Sequence, residues 1–285
     1  MLYFAKALKY IGVHRRYTYM NKVQITVVGM LGAVSLASCG TTTIPSTWDE
    51  IVDRGYVIVG LDDTFAPMGF RNQANELVGF DVDLAKLVFG ELDIEVRFQP
   101  IDWAAKVLEL DAGNIDMIWN GLTITEPRRL EMLFSDAYIA NRQIVMTKAS
   151  ATINTIAELG DKKVAAQSGS ASEDVVKANP IFEDLAELVT TDTFNSALLE
   201  LDTGGVDAVV VDEIYGRYVI AQNPGKYRVM SEDFGDETFG IGFRLGNTTI
   251  RDTVNDTLFD LIEAGDALTI SQTWFSEDVF LTRGS

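Results

Sequence analysis

From Tyr56 onward the chain alternates short β-rich runs with helical stretches, and one junction of that alternation occurs twice. The segment "LELDAGNIDMI" (108–118) recurs as "LELDTGGVDAV" (199–209), with Leu, Glu, Leu, Asp, Gly and Asp in the same places. Each copy reads as the end of a helix, a glycine cap and then a buried strand. The repeat predicts duplicated architecture and so two lobes built alike. Around it, "YVIVGLD", "IEVRFQPI" and "IDMIWNG" read as strands, while "VGFDVDLAKLVFGEL" is a helix with Phe80, Leu84, Leu87 and Val88 on one face. Strands alternating with helices predict an α/β fold with a largely parallel sheet. Two extended segments, "FSDAYIANRQIVMTK" and "DETFGIGFRLG", lie where the pattern changes and are the candidates for strands that cross between lobes.

Composition narrows the chemistry. The 285 residues are 47% hydrophobic and carry a formal charge of -19, enough apolar material for sizeable cores. Nucleic acid and anionic membrane surfaces repel such a chain. The single His is His14 and the single Cys is Cys39. The region after them therefore has no Ser-His-Asp triad, no Cys nucleophile, no disulfide and no zinc site built on His or Cys. No metal or cofactor is expected.

The first 38 residues have the character of a leader. Five basic residues (Lys6, Lys9, Arg15, Arg16, Lys22) occur there without an acidic one, so removing them takes the net charge from -19 to -24. An apolar run from about Val23 to Leu36 follows Lys22. It is shorter than the roughly 20 residues a membrane span needs and has the order of a secretory signal. Leu36-Ala37-Ser38-Cys39 resembles a bacterial lipobox, which implies acylation of Cys39 and a membrane anchor; Met20 is an alternative start to Met1. "GTTTIPSTWDE" reads as a tether.

Three constellations each end a strand and open a loop or helix, where open α/β sheets place ligands. In "NGLTITEPRRLEM", Thr125 is placed as an N-cap with Pro127 in the first turn, so Arg128 projects near the strand end. Arg128 either grips a carboxylate through two parallel hydrogen bonds or pairs with Glu126 or Glu131 on the surface. In "KVAAQSGSASEDVV", Ser170 and Glu173 have capping-box spacing, and the helix start attracts anions. In "VDAVVVDEIYG", Asp212 ends an apolar strand, where leaving it unpaired is costly; it either receives an ammonium group or caps the next helix. A carboxylate receptor plus an ammonium receptor describes a site for an α-amino acid. Asp62 with Phe65, and Trp103 after Asp102, either line a side-chain pocket or belong to the core.

Taken together, "VGFDVDLAK", "GNIDMIWNGLTITEPR", "FSDAY", "VAAQSGSASE", "GGVDAVVVDE" and "LIEAGDALTISQTWF" resemble, in order and spacing over about residues 55 to 276, the family 3 extracellular solute-binding proteins of polar amino acid ABC transporters. The resemblance implies a two-lobed periplasmic-binding-protein type II fold with two crossing hinge strands and a ligand cleft between the lobes. Its segments would be a lipoprotein signal peptide (1–38), acylated Cys39 and tether (39–54), lobe one (55–140 and 238–285) and lobe two (141–237). By motif position it implies that Arg128, Thr123 and the backbone at Ser170 hold the α-carboxylate, and that Asp212 with the Gly121 carbonyl holds the α-ammonium. Asp62, Phe65, Trp103 and Asn120 match side-chain pocket positions. Met68-Gly69 and Ala171 depart from residues frequent in the family. Arg142 in the hinge segment would favour an acidic ligand if it points into the cleft, against the basic or amide preference that Asp62 suggests.

The expected function is capture of a polar L-amino acid and its delivery to an ABC permease driven by its ATPase, without enzymatic activity. The competing class is an enzyme of the same fold, such as a cyclohexadienyl dehydratase, for which Glu173 is the candidate general acid. A sensor lobe of a signalling receptor would need a transmembrane helix or output domain, and none follows Phe280 in this sequence.

Overall fold

A computed structural model describes residues 47–284. The leader, Cys39 and the first part of the tether lie outside the described residues. The chain begins with α1 (Trp48–Arg54), β1 (Tyr56–Leu61) and a small antiparallel sheet of β2 (Thr64–Phe65), β3 (Gly69–Arg71) and β4 (Leu77–Val78). It continues through α2 (Phe80–Glu91), β5 (Glu95–Pro100), a 3-10 turn at Trp103–Ala105, α3 (Lys106–Ala112), β6 (Met117–Thr123), α4 (Glu126–Arg129) and β7 (Met132–Phe134). Next come β8 (Ile139–Lys148), β9 (Lys163–Gln167), α5 (Ala171–Ala178), β10 (Glu187–Thr191), α6 (Phe194–Thr203), β11 (Ala208–Asp212), α7 (Glu213–Gln222), β12 (Tyr227–Val229), β13 (Asp236–Arg244), α8 (Thr248–Ala264) and α9 (Leu268–Phe275).

The main sheet runs β10-β9-β11-β8-β13-β6-β1-β5, with β12 beside β8 and β7 beside β13. Its outer thirds are parallel triplets of the same design. In one, β1 lies between β5 and β6; in the other, β9 lies between β10 and β11. The repeated eleven residues build the same junction in each. Gly113 (φ 76°) caps α3 before β6, and Gly204 (φ 83°) caps α6 before β11. The last Asp of the repeat also does the same job twice. Asp116 Oδ2 accepts from the backbone N–H of Ile58 at 2.7 Å, and Asp207 Oδ2 accepts from that of Lys163 at 2.9 Å, tying β6 to β1 and β11 to β9.

The centre departs from a largely parallel sheet, because β8 and β13 run antiparallel to β11 and β6 and to each other. Ile139–Arg142 of β8 pair with β13, whereas its Gln143–Met146 pair with β11. Likewise β13 gives Asp236–Phe239 to β8 and Phe239–Phe243 to β6. These are the two crossing strands expected from the sequence. The fold is the two-lobed periplasmic-binding-protein type II fold, with its cleft between the lobes.

The inner strands of the triplets, β1, β6, β9 and β11, are largely buried and read as apolar runs, whereas the edge strands β5 and β10 are exposed or half-buried. In β11, Ala208 and Val210 join one hydrophobic cluster while Val209 and Val211 join another, as alternation across a strand requires. Helix α2 packs on the first triplet through Phe80, Leu84 and Val88, all fully buried, and α8 and α9 pack on α2. Trp274 of α9 donates its indole N–H to Asp83 of α2 at 2.9 Å.

One expectation needs correcting. Residues 48–54 are helix α1, not the end of a tether. Thr47 and Glu50 form a reciprocal capping box, and Ile51 is fully buried beneath the helix. The cap satisfies the first N–H groups and the burial of Ile51 holds the turn down.

The paired aspartates allow a direct comparison. Asp116 is buried and also pairs with Arg54, whereas Asp207 is exposed. Replacing Asp116 with Ala should lower the unfolding free energy by about 2–4 kcal/mol, because it strands a buried N–H and a partly buried guanidinium. Asp207→Ala should cost clearly less, as measured by urea unfolding of both variants.

Candidate functional site

All nine sequence-predicted ligand positions meet in one cleft between the lobes. Asp62, Phe65, Trp103, Asn120, Gly121, Thr123, Arg128, Ser170 and Asp212 line it, together with Gln167, Ala171 and Phe194. The strand ends bring these residues together: β1 ends beside Asp62, β6 carries Asn120 to Thr123, β9 ends at Gln167 and β11 at Asp212.

The positive side of the cleft is built on α4. Thr125 Oγ1 accepts from the Arg128 N–H at 3.3 Å with Pro127 in the first turn, which starts the helix as expected. The Arg128 side chain is 7% exposed. It donates to the Thr123 carbonyl at 3.0 Å and, across the cleft, to the Gly169 carbonyl at 3.1 Å. Its nearest carboxylate is Asp174, at 3.8 Å and largely exposed, so the surface ion pair with Glu126 or Glu131 is not its role. Burial holds its pKa below the ordinary guanidinium value. Lys106, also buried, donates to the same Gly169 carbonyl at 2.7 Å. Burial, reinforced by the Arg128 charge, brings its pKa down to about 8.

Opposite Arg128 stands the N-terminus of α5, which adds its dipole to this side. Ser170 Oγ accepts from the Glu173 N–H at 3.2 Å and donates to the Gln167 carbonyl at 2.7 Å. The capping box is shifted by one residue. Glu173 Oε2 accepts from the Gly169 N–H at 2.6 Å instead of from Ser170, while its Oε1 pairs with Lys177. Burial works to raise the Glu173 pKa, but Lys177 and the Gly169 N–H outweigh it and leave the carboxyl below its usual range.

The negative side is Asp212. It occupies the N-cap position of α7 yet makes no capping hydrogen bond. Its Oδ1 accepts instead from Asn141 at 2.7 Å and from Gln143 at 2.8 Å. Burial, and then the neighbouring Glu237 carboxylate, push its pKa well above the usual carboxylate value. Glu237, Asn141 and Gln143 were not singled out in the sequence. Their signal was faint: polar residues two apart in an apolar strand, and one acid in a crossing strand. Thr123, expected at the ligand carboxylate, donates its hydroxyl to Glu237 at 3.0 Å.

The third corner is Asp62. Its Oδ1 accepts from the N–H and hydroxyl of Thr64, and its Oδ2 accepts from Gln167 Nε2 of the opposite lobe at 2.7 Å. Burial raises its pKa in spite of these bonds. Asn120 does more than line the cleft, since its Oδ1 accepts the Asp62 backbone N–H at 3.1 Å and so fixes the end of β1. Phe65 stacks on Tyr215 with centroids 5.8 Å apart and sits 5.7 Å from Phe194, both from the other lobe. Trp103 lines the cleft under Lys106. Arg142 does not enter. Its side chain is 43% exposed and pairs with Asp233 and Asp236 outside. Among the described residues no group of three or more His, Cys, Asp or Glu side chains could hold a metal ion.

Gly121 is tightly constrained. Its φ is 56°, and a Cβ there would lie 2.7 Å from Phe65 Cε1. Its N–H donates to buried Asp81 at 2.7 Å. Gly121→Ala should cost about 1–3 kcal/mol of stability from backbone strain and displace Phe65, which thermal unfolding and tryptophan fluorescence would register.

The sequence profile of the bacterial extracellular solute-binding proteins, family 3, matches residues 57–277. The L-cystine-binding protein TcyJ of Escherichia coli (strain K12) is 28% identical over 257 residues, covering 88% of this chain and 96% of that protein. An ABC uptake transporter substrate-binding protein from Streptococcus pneumoniae, solved with bound histidine, superposes with a TM-score of 0.80 at 36% identity over 82% of this chain and 98% of that one. Tv2483, solved with L-arginine, gives 0.78 at 28% identity, covering 84% and 98%.

Proposed function

The chain belongs to the bacterial extracellular solute-binding proteins, family 3, and on that premise we propose that it captures a polar L-amino acid, with a basic or amide side chain favoured, and delivers it to an ABC importer. The observation that carries this reading is the polarity of the cleft. Arg128 and the α5 N-terminus face one end, Asp212 the other, and both side chains are nine-tenths or more buried with no direct partner of opposite charge in hydrogen-bond range. A zwitterion supplies both missing charges at once. The α-carboxylate would lie against Arg128, Thr123 and the Ser170 backbone, and the α-ammonium against Asp212 and the Gly121 carbonyl.

The side chain then points toward Asp62, Phe65, Trp103 and Asn120. Asp62 accepts a hydrogen bond already and would accept one from a guanidinium, imidazolium or amide. Arg142 lies outside the cleft, so it offers no counter-charge to an acidic side chain there. The histidine and arginine complexes of similar proteins are consistent with this preference. An enzymatic dehydration would need a general acid of raised pKa, and Glu173 is instead held low by Lys177 and the Gly169 N–H.

Closure is the mechanism. Arg128 belongs to lobe one (55–140 and 238–285) and Asp212 to lobe two (141–237), so neither lobe alone satisfies the ligand, which favours the closed form by its differential contacts. Partner change within β8 between Arg142 and Gln143 supports those boundaries. The lipobox-like Leu36–Cys39 supports a lipid anchor that keeps the receptor on the extracytoplasmic face of the membrane beside its permease; Cys39→Ala should abolish incorporation of labelled fatty acid.

The function is tested by thermal shift and calorimetry against the L-amino acids and cystine. A ligand at about 100 times its Kd should stabilise the protein by about 2.7 kcal/mol. Arg128→Ala removes two charge-assisted bonds of about 1.5–3 kcal/mol each and should weaken binding by at least about a hundredfold with the fold retained. Asp62→Asn should weaken a basic ligand by tenfold or more and an amide ligand far less. A full set of null shifts would sink the receptor reading.

A further inference from the structure

The ammonium end of the cleft contains more than Asp212. Three adjacent strands meet there: β11, β8 and β13. In their register Asp212 lies opposite Gln143, and Glu237 lies opposite Asn141. Directly paired residues share a face of the sheet, and so do residues two apart on one strand. All four side chains therefore project from the same face, with the two amides between the two acids.

The contacts are reciprocal. Asn141 Nδ2 donates to Asp212 Oδ1 at 2.7 Å and to Glu237 Oε1 at 2.6 Å. Gln143 Nε2 donates to the same two oxygens at 2.8 and 2.9 Å. Each amide thus gives one hydrogen to each acid. Neither can turn over without loss, because Gln143 Oε1 accepts from Ser172 Oγ at 2.6 Å and Asn141 Oδ1 accepts from the Ile214 N–H at 3.4 Å. Two carboxylates are held close by donors that carry no charge. Like charges at that range do not both ionise readily.

The other charged groups around them do not resolve this. Arg128 on α4 faces the pair, but its donors go to the Thr123 and Gly169 carbonyls. Lys106 on α3 and Asp174 on α5 lie behind Arg128, and Glu213 at the start of α7 is taken by Arg217. Arg142, between the two amides on β8, points to the opposite face and is tied to Asp233 and Asp236.

We propose that Glu237 completes the ammonium end of the cleft: with Asp212 it forms one acidic dyad, bridged by Asn141 and Gln143, that shares a proton when the cleft is empty and releases it to solvent when the ligand's ammonium enters. This rests on the receptor reading above. The step breaks one O–H bond of the dyad and leaves both carboxylates ionised, with the ammonium supplying the compensating charge. Glu237 is a positioning residue; Asp212 is the one that lines the cleft. Because the bridging amides sit on β8 and Glu237 on β13, the charge change falls on the two strands that join the lobes.

The sign follows. A dyad whose proton is held more tightly than by a free carboxylate keeps it in the empty protein to a pH well above the ordinary 3.8 of an Asp. Binding releases it, so affinity rises with pH across the dyad's titration and levels off above it.

The test is calorimetric titration with L-arginine and with L-glutamine, whose side chains do not titrate near neutrality. Titrations are run at about pH 6 in buffers of differing ionisation enthalpy. At that pH Lys106, with a pKa of about 8, is already protonated and adds little. The wild-type protein should release protons on binding, read as a dependence of the observed heat on the buffer's ionisation enthalpy. Glu237→Gln should release close to none, keep affinity within about tenfold, and show a flattened pH profile; a loss of packing alone would not remove the buffer dependence. Binding to the wild type without proton release overturns the inference and leaves the receptor reading standing, as does unchanged release in Glu237→Gln. No heat with either amino acid, together with null thermal shifts, would sink both. Should the variant fail to fold, Asp62→Asn takes its place, because Asp62 is the other cleft carboxyl that burial raises: release that persists there belongs to the dyad, and release that disappears overturns the inference.

Discussion

Strand β8 bonds to β13 through Ile139–Arg142 and to β11 through the residues that follow, so a single extended segment belongs to both halves of the sheet. Everything at the cleft depends on that sharing. A strand in mid-sheet has both edges hydrogen-bonded, which fixes its register and hence which of its side chains face the ligand. Because β13 repeats the arrangement in the opposite direction, the carboxyl ends of β1 and β6 from one lobe are set facing those of β9 and β11 from the other. The site is made by topology before any side chain is considered.

The side chains then divide the charge. Arg128 and Lys106 converge on the carbonyl of Gly169, and Asp212 and Glu237 converge on two amides. In each case like charges are gathered where burial weakens solvation, and the partners offered are dipoles instead of counter-ions. Such an arrangement is costly when the cleft is empty, which is the ground for proposing an occupant that carries both signs. Two contacts span the cleft, Gln167 to Asp62 and Arg128 to the Gly169 carbonyl.

Much of this was legible in the sequence, and for identifiable reasons. Glycine caps, the Thr125 N-cap with Pro127, and apolar strands ending in a polar residue are local signals, so the positions of Arg128, Ser170 and Asp212 follow from a few neighbouring residues. The duplicated helix, glycine and strand were legible because the same local instruction is written twice. Glu237, Asn141, Gln143 and Gln167 were not. Glu237 meets its amide partners 96 and 94 residues away in the chain, and Gln167 meets Asp62 across 105. Nothing in the immediate sequence of a crossing strand says which neighbour it will have. The helix at residues 48–54 was missed for a different reason: it is short, and its stability comes from a cap and one buried Ile51 more than from periodicity.

The sequence by itself therefore determined the class of fold, the two crossing segments, the family resemblance and the residues at strand ends, because hydrophobic periodicity and capping act over a few residues. Only the tertiary structure decided that Arg142 points outward, that Asp212 shares its donors with Glu237 and that Lys106 joins Arg128 at one carbonyl. Those outcomes depend on strand register and on the approach of two lobes, which couple residues far apart in the chain through burial and charge.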